Sequence, residues 1–253
     1  MMSQSSAALD ARTAFEARFV EAGGVERRLP LEQLATVALE YGRPVRSFPS
    51  YKGQRNYPGL YWSATMGGHV GYESWVERDH LVGLDFDQAV TSIASQPFWL
   101  YWRMDGSPRR HAPDFFARLV DGSALVVDSR PLDLIKKRDA EAFEATEQAC
   151  LSLGWRYAVW GDADPVGSAN LRWLAGYRHP RCHDREVAKA LRDAFFFPRS
   201  LMSGAEQVGD PIAVLPVLYH LMWRHDLVAD LSVVLCDRTI VCDRHGAFGS
   251  GRV

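Results

Sequence analysis

The chain has 253 residues, of which 47% are hydrophobic and 24% charged, a balance typical of a globular protein with a sizeable core. Its 29 Lys and Arg against 31 Asp and Glu give a formal net charge of -2, which excludes an overall basic field, so nucleic acid contacts must use local patches. Four scattered cysteines exclude a disulfide framework and predict a reduced, cytoplasmic protein. The N-terminus predicts no signal peptide, and no apolar run reaches the roughly 18 to 20 residues of a membrane span.

The first 45 residues are predicted to form a helical extension without chemistry. Phe15, Phe19 and Val20 recur at helical spacing before Gly23-Gly24 stops the pattern. A second short helix is expected from Pro30, since proline is harmless in a first helical turn.

A segment rich in cations and aromatic residues follows, between residues 50 and 62. Lys52, Arg55 and Tyr57 combine phosphate-pairing cations with a ring that can stack on bases, so they are candidate DNA contacts. A loop packed against its own domain is the alternative.

The central part of the chain predicts an α/β core that begins with a helix from about residue 71 to residue 85. Glu73, Glu77 and His80 share one face of that helix. Three strands, at 98–103, 112–119 and 124–129, follow with Asp-Gly turns between them, which predicts an antiparallel meander.

A further helix and strand complete this core. The helix spans Lys136 to Leu153 and ends before Gly154, a residue suited to a helix C-terminus. The strand from Trp155 to Trp160 follows a helical crossover, so we expect it to lie parallel to the preceding strand.

A different module is predicted from residue 179 to residue 245. It comprises a helix from Asp184 to Phe196, a short helix with a capping box at Ser203 to Glu206, and a longer helix after Asp210-Pro211. A hairpin is predicted from strands 231–236 and 239–242. Three helices and a two-stranded wing predict a winged-helix domain, followed by a disordered tail at 246–253. The longer helix carries few cations, so DNA binding and docking of a protein partner both stay open.

The predicted hairpin brings acidic residues together. Asp114 opens one strand and Asp128 nearly closes the next, and both are equally distant in sequence from Asp121 in the turn. Carboxylates so placed can hold Mg²⁺ for phosphodiester hydrolysis. Arg130 shares a strand face with Asp128, and Glu77 or Glu73 would come from the helix. The alternative is a surface pair of Asp128 and Arg130 with solvated glutamates.

Other kinds of site find little support in the sequence. The Cys and His residues after position 178 lack the paired spacing of a zinc site. The chain contains neither a Gly-rich phosphate-binding loop nor a nucleophile-elbow motif.

Several motifs together resemble a known family. They are Ser74-Trp-Val-Glu77, Leu84-Asp-Phe-Asp87, Gln96-Pro97, Ala112-Pro-Asp114-Phe and Val126-Val-Asp128-Ser-Arg130. In this order they resemble the TnsA-like endonuclease subunit of heteromeric transposases. The resemblance implies a restriction-endonuclease-like PD-(D/E)XK core (46–178) of mixed sheet and helices, followed by a winged-helix domain. It further implies Mg²⁺, with Mn²⁺ as a substitute, cleavage of double-stranded DNA at transposon ends, and a transposase subunit and an AAA+ ATPase regulator as partners.

The resemblance also assigns roles to single residues. Glu77 matches the helix glutamate, with Glu73 as the alternative, while Asp114 and Asp128 match the two acidic positions of the strands. Arg130 stands where the family has lysine; its guanidinium stabilises charge but cannot act as a base. A catalytically impaired DNA-binding or assembly subunit is therefore the alternative function.

Overall fold

The computed structural model describes residues 14–47 and 57–246. Two of the predicted DNA contacts, Lys52 and Arg55, lie outside these ranges, as does the predicted tail from residue 247. The chain divides into two compact units, Met1–Asp162 and Ala163–Val253. Residues 163–178, which the sequence boundary assigned to the first domain, therefore belong to the second unit.

The N-terminal segment forms a β-hairpin, so the predicted helix is wrong. Glu16–Val20 (β1) pairs antiparallel with Glu26–Pro30 (β2) around a turn in which Gly24 adopts a left-handed φ of 84°. Ala17 and Phe19 are buried and alternate with polar neighbours, a period of two that suits a strand. Short 3₁₀ helices, Leu31–Thr36 and Leu39–Tyr41, follow.

Two hairpins flank the centre of the first unit. Gly59–Ser63 (β3) pairs with Gly68–Tyr72 (β4), and Trp99–Met104 (β6) pairs with Ser107–His111 (β7). The second hairpin joins β1, which gives a sheet of order β2-β1-β6-β7. Its residues Leu100 and Trp102 are buried in a core shared with the second large sheet.

The second large sheet carries the predicted core, and its elements follow one another in an α-β-β-β-α-β order. They are Trp75–Phe86 (α1), Val90–Ser95 (β5), Phe115–Leu119 (β8), Ala124–Ser129 (β9), Lys137–Ser152 (α2) and Arg156–Trp160 (β10). The sheet order is β10-β9-β8-β5. Strand β10 lies parallel to β9, as the helical crossover predicted, while the other neighbours are antiparallel.

The predicted three-stranded meander is wrong in one strand. Strand β5, which the sequence analysis left unassigned, lies beside β8 in the place predicted for the aromatic strand now called β6. The chain leaves the sheet after β5 at Gln96, whose φ is 46°, and returns to it after Pro113. A proline lacks a backbone donor and breaks continuous pairing there, so the intervening hairpin is free to pair with β1.

The second unit contains four α-helices, a 3₁₀ helix at Pro180–Cys182 and a small sheet among its described residues. The helices are Pro165–Ala175 (α3), Arg185–Ala194 (α4), Leu201–Val208 (α5) and Pro211–Trp223 (α6), and the strands are Arg199–Ser200 (β11), Leu227–Ala229 (β12) and Ile240–Asp243 (β13). The sheet order is β11-β13-β12, with antiparallel pairing throughout.

Two details of the predicted second module are corrected. Ser203 lies inside α5 rather than capping it, because this helix begins at Leu201, whereas Asp210 caps α6 as predicted by accepting from the amide of Ile212. Residues 231–236 are not a strand; the first strand of the hairpin is β12. The backbone there is bound instead by Asn170, whose side chain donates to the carbonyl groups of Leu231 and Val233 and accepts from the amide of Leu235.

Among the helices within 14–47 and 57–246, none combines enough length with enough apolarity to cross a bilayer. Helix α6 has the most apolar sequence among them, yet it has only 13 residues, about 20 Å at 1.5 Å per residue.

Candidate active site

A polar cleft of about 320 Å³ lies in the first unit, and the acidic residues predicted from the sequence line it. Glu73 precedes α1 and Glu77 lies in its first turn, while Asp114 precedes β8, Asp128 lies near the end of β9 and Arg130 follows β9. The sequence motifs therefore meet at one surface of the fold.

The β8–β9 hairpin brings Asp114 and Asp128 together in the predicted register. Phe115 pairs with Val127, so Asp114 and Asp128 occupy the next facing positions. The backbone amide of Ser129 donates to Asp114 Oδ2 at 2.8 Å, which fixes the carboxyl against the end of β9.

The carboxyl of Asp114 is in an unfavourable environment for its charge. Burial raises its pKa well above 3.8, and the negative charges of Asp128 and Glu77 raise it further. The Ser129 amide and the Arg46 guanidinium act in the opposite direction without cancelling this rise. Asp114 therefore takes up a proton, or attracts a cation, more readily than an ordinary aspartate.

Asp128 is held by two residues that the sequence analysis did not identify. His111 Nε2 lies 2.9 Å from each oxygen of the carboxylate, and the Tyr157 hydroxyl donates to Oδ2 at 2.7 Å. Asp128 is 2% exposed, so the predicted alternative of a surface pair with Arg130 is wrong. Burial, followed by the charge of Asp128, raises the pKa of Tyr157, which keeps this hydroxyl a neutral donor.

Glu77 both lines the cleft and caps α1. Its Oε2 accepts from the Glu73 amide at 2.7 Å and its Oε1 from the Ser74 hydroxyl at 3.0 Å, while the Glu77 amide donates to Ser74 Oγ. Ser74 thus caps the first turn of α1, while the Glu77 carboxylate binds the Ser74 hydroxyl and the backbone amide that precedes this N-cap residue. Burial is the largest cause that raises the pKa of Glu77, and the side chain is not the solvated one of the alternative interpretation.

Glu73 differs from Glu77 because it precedes α1, so the prediction that both stack on one helix face is wrong. Its Oε2 accepts from Arg46 Nη2 at 2.9 Å. The guanidinium of Arg46 thus enters the cleft beside the acids, and its charge partly offsets the rise in the pKa of Asp114 and of Glu77.

Two further arginines lie around the acids. The guanidinium of Arg110 stacks on the Trp99 ring at 4.6 Å, and the Trp99 indole donates to the carbonyl of Val45 at 3.3 Å. Arg130 pairs with Asp139 at 3.3 Å and is half-exposed. The cleft therefore combines buried carboxylates with guanidinium groups that suit phosphate oxygens.

Tyr57 is the one predicted DNA contact within the described residues. It is 60% exposed, and its ring lies 5.8 Å from that of Trp75, which is exposed at the start of α1. The guanidinium of Arg78 stacks on the Trp75 ring, 4.2 Å from its centroid. An accessible aromatic ring next to a cation is compatible with nucleic acid contact and also with a local surface cluster.

The acidic side chains of the cleft are of the chemical type that binds a hard divalent cation. Asp114, Asp128 and Glu77 supply oxygen ligands, the kind that Mg²⁺ prefers, and a cation would relieve their mutual repulsion. Within 14–47 and 57–246, however, no three His, Cys, Asp or Glu side chains converge closely enough to hold an ion as they stand.

The residues of the cleft come from distant parts of the chain, which explains why sequence patterns identified only some of them. The position of His111, three residues before Asp114 of the Pro-Asp motif, could have identified it as a candidate site residue. Arg46 and Tyr157 belong to no sequence motif that points to the cleft. Neither the protein-family models nor the curated proteins searched give a match to this chain. The case for a function accordingly depends on the motifs and on the geometry of the cleft.

Proposed function

We propose that the protein is a metal-dependent DNA endonuclease subunit of a heteromeric transposase, which hydrolyses a phosphodiester at transposon ends. The observation that carries the proposal is the meeting of Asp114, Asp128 and Glu77 in one cleft with three arginines. Acting with it in the cytoplasm would be a transposase subunit and an AAA+ ATPase regulator. Four free cysteines are compatible with a reducing compartment.

The order of elements supports this proposal. The succession α1, β5, β8, β9, α2, β10, with only β10 parallel to its neighbour, agrees with a PD-(D/E)XK core. In the second unit, α4, β11, α5, α6, β12 and β13 succeed one another in an order that supports a winged-helix domain. Fold alone does not imply activity, so the residues of the cleft carry the functional part.

The residues of the cleft would divide the work between charge neutralisation and positioning. Asp114 and Asp128, with Glu77, would hold Mg²⁺, which when bound supplies charge stabilisation and a water of lowered pKa. Arg46 and Arg110 offer guanidinium groups to the phosphates of the substrate. Arg130 would stabilise negative charge that develops on the phosphate, since it cannot accept a proton.

A plasmid-nicking assay with the partner transposase present tests the proposal. Asp114→Ala and Asp128→Ala should each lower Mg²⁺-dependent nicking by about 10³-fold or more. Asp121→Ala is the matched control, because Asp121 lies exposed in the turn of the same hairpin and should leave nicking unchanged. Equal nicking by the wild type and both cleft variants would refute a nuclease centred on these acids.

The helix ligand can be identified in the same assay. Glu77→Ala should abolish nicking, whereas Glu73→Ala should retain it at a raised KM, because Glu73 only orients Arg46. The reverse result would assign the ligand to Glu73. If Glu77→Ala is unstable, Glu77→Gln can replace it in the assay. Glutamine retains one oxygen that can accept a hydrogen bond at the start of α1 but lacks the negative charge.

A catalytically impaired DNA-binding or assembly subunit is the second candidate. Two observations favour it: Arg130 replaces the lysine of the family pattern and pairs with Asp139, and Asp128 is fully engaged by His111 and Tyr157. In this case the wild type would bind transposon ends without nicking them, and Arg130→Lys would gain activity. Nicking by the wild type that is lost in Arg130→Lys would refute this candidate.

A further inference from the structure

His80 is a buried side chain of α1 that no predicted role has used. It lies one turn after Glu77, is 6% exposed, and packs edge-on against Trp160 with ring centroids 5.3 Å apart. Its Nδ1 lies 2.8 Å from Ser129 Oγ and its Nε2 lies 2.8 Å from the carbonyl oxygen of Gly161. Both ring nitrogens are therefore engaged, each by a different element of the core.

The chemistry of these partners determines the direction of both hydrogen bonds. A carbonyl oxygen only accepts, so Nε2 carries the proton and donates to Gly161. In a neutral imidazole Nδ1 is then an acceptor, and the Ser129 hydroxyl donates to it. Burial, the largest cause, lowers the pKa of His80 and so favours the neutral ring, although the Gly161 carbonyl and the charges of Asp79 and Asp162 favour the protonated one.

Ser129 connects this ring to the acids of the cleft. Its side chain is held by His80, while its backbone amide donates to Asp114 Oδ2 at 2.8 Å. The residue stands between Asp128 and Arg130 in the sequence, so any rotation of this strand end would move both. A single imidazole thus joins α1, the end of β9 and the residue after β10.

We propose that His80 is a positioning residue of the cleft, which holds the helix that carries Glu77 at a fixed distance from the strand end that carries Asp128 and Arg130. The effect on catalysis rests on the proposed nuclease function. The hydrogen-bond directions and the tie between the three elements do not depend on that function. Supporting partners of this kind orient the groups that bind metal or substrate, and their loss typically lowers metal affinity or activity about 10 to 100-fold.

Two substitutions each remove the hydrogen bond between His80 and Ser129 and leave a donor for Gly161 in place. His80→Gln retains an N–H donor for Gly161 but loses the nitrogen acceptor for the Ser129 hydroxyl, and Ser129→Ala removes the hydroxyl itself. Each should lower the kcat of Mg²⁺-dependent nicking about 10 to 100-fold with little change in KM for DNA. The double variant should be no slower than the slower single variant, because both changes remove the same contact.

Tyr61→Phe, in strand β3, is the matched control for a hydrogen bond to the same helix. Its hydroxyl donates to the buried Asp85 of α1 at 2.8 Å, so the variant also loses a buried hydrogen bond to α1, but one outside the cleft. It should lose stability as the His80 variant does while its kcat stays at the wild-type value. A kcat lowered as much by Tyr61→Phe as by His80→Gln would overturn the proposal, because a general loss of packing would then explain both.

Nuclear magnetic resonance provides a readout that needs no activity. The ¹⁵N spectrum of His80 should show a proton on Nε2 and none on Nδ1, and the Ser129 amide should exchange with solvent faster in His80→Gln than in the wild type or Tyr61→Phe. A proton on Nδ1, or unchanged exchange in His80→Gln, would overturn the positioning role. A wild type that never nicks DNA would instead refute the nuclease function, and these two spectra would still decide the role of His80.

Discussion

Two carboxylates, that of Asp85 within α1 and that of Asp114 in the cleft, have opposite surroundings. Asp85 accepts hydrogen bonds from the hydroxyl groups of Tyr61 and Ser63 and from the backbone amides of Ala64 and Thr65. Asp114 accepts one from the Ser129 amide and lies near two other acids. The β3–β4 hairpin therefore offsets the cost of burying Asp85, whereas the cleft leaves the charge of Asp114 poorly compensated.

This difference separates a structural acid from a candidate reactive one. The four hydrogen bonds to Asp85 connect α1 to the β3–β4 hairpin and satisfy its carboxylate, so this acid needs no ligand to compensate its charge. Burial and like charges, which raise the pKa of Asp114, are characteristic of functional sites, where uncompensated charge is retained at the expense of stability. Substitutions at the two positions should therefore have opposite effects on stability.

The largest effect on stability is expected for Asp85→Asn. The amide nitrogen of asparagine would face donors, so at least one hydroxyl or backbone amide loses its acceptor in a buried place. The unfolding free energy should fall by on the order of 3 kcal/mol, which urea denaturation would measure. Asp87→Asn, at the exposed C-terminus of the same helix, is the control and should change it by less than about 0.5 kcal/mol. If Asp85→Asn lowers the unfolding free energy no more than the control does, Asp85 and Asp114 do not differ in how well their charges are compensated.

Asp114→Asn should increase stability while it abolishes nicking. The amide retains an oxygen for the Ser129 amide and removes a charge repelled by Asp128 and Glu77. With a chelator present at neutral pH, we expect a gain on the order of 1 kcal/mol, or about 2 to 4 °C in Tm. Calorimetry of both proteins would measure it, and a loss of stability would show that the Asp114 charge is compensated after all.

The same pair of proteins should differ in pH dependence. The folded protein holds the Asp114 proton more tightly than the unfolded chain, so between pH 3.8 and the raised pKa its unfolding free energy falls as the pH rises. The asparagine variant lacks this contribution. Its advantage over the wild type should therefore grow with pH through that window and then level off, whereas a constant difference would contradict the raised pKa.

Tyr157→Phe should have a smaller effect, because it removes one of the donors to Asp128 and leaves His111 in place. We expect a loss of about 1 kcal/mol in thermal or urea unfolding. Tyr101→Phe, which retains the ring beneath Arg28, is the control and should be nearly neutral. If Tyr157→Phe also strengthens Mg²⁺ binding in calorimetry, this hydroxyl competes with the cation for Asp128, whereas weaker binding would exclude such competition.

Arg110→Ala should have the smallest effect on stability and act on DNA instead. The side chain is exposed and stacks on Trp99, so unfolding should change by less than about 0.5 kcal/mol. Loss of one phosphate contact should reduce the slope of log affinity against log salt concentration by about 1. Arg103→Ala, on the same hairpin but outside the cleft, should leave this slope unchanged, and equal slopes for all three proteins would exclude Arg110 as a contact.

Sequence patterns predicted the parts of the fold that depend on local chemistry. The Asp121-Gly122 turn and the alternation around it were enough for the β8–β9 pairing and hence for the meeting of Asp114 and Asp128. The crossover through α2 predicted the parallel strand β10. The N-terminal strand was missed because Phe15 and Phe19, four residues apart, satisfy a helical period as well as a strand period over so short a segment.

The cleft itself shows the same division. The residue types and spacing of Glu77, Asp114, Asp128 and Arg130 were sufficient to select them from the sequence alone, because each stands at the end of a recognisable element. Their partners could not be selected in this way. His111 reaches Asp128 because the β6–β7 hairpin pairs with β1 and not with β8, and His80 reaches Ser129 and Gly161 because α1 packs at that edge of the sheet. Spacing along the chain determined which acids meet, and tertiary packing decided which of them keep an uncompensated charge, since burial and donor supply depend on segments far apart in sequence.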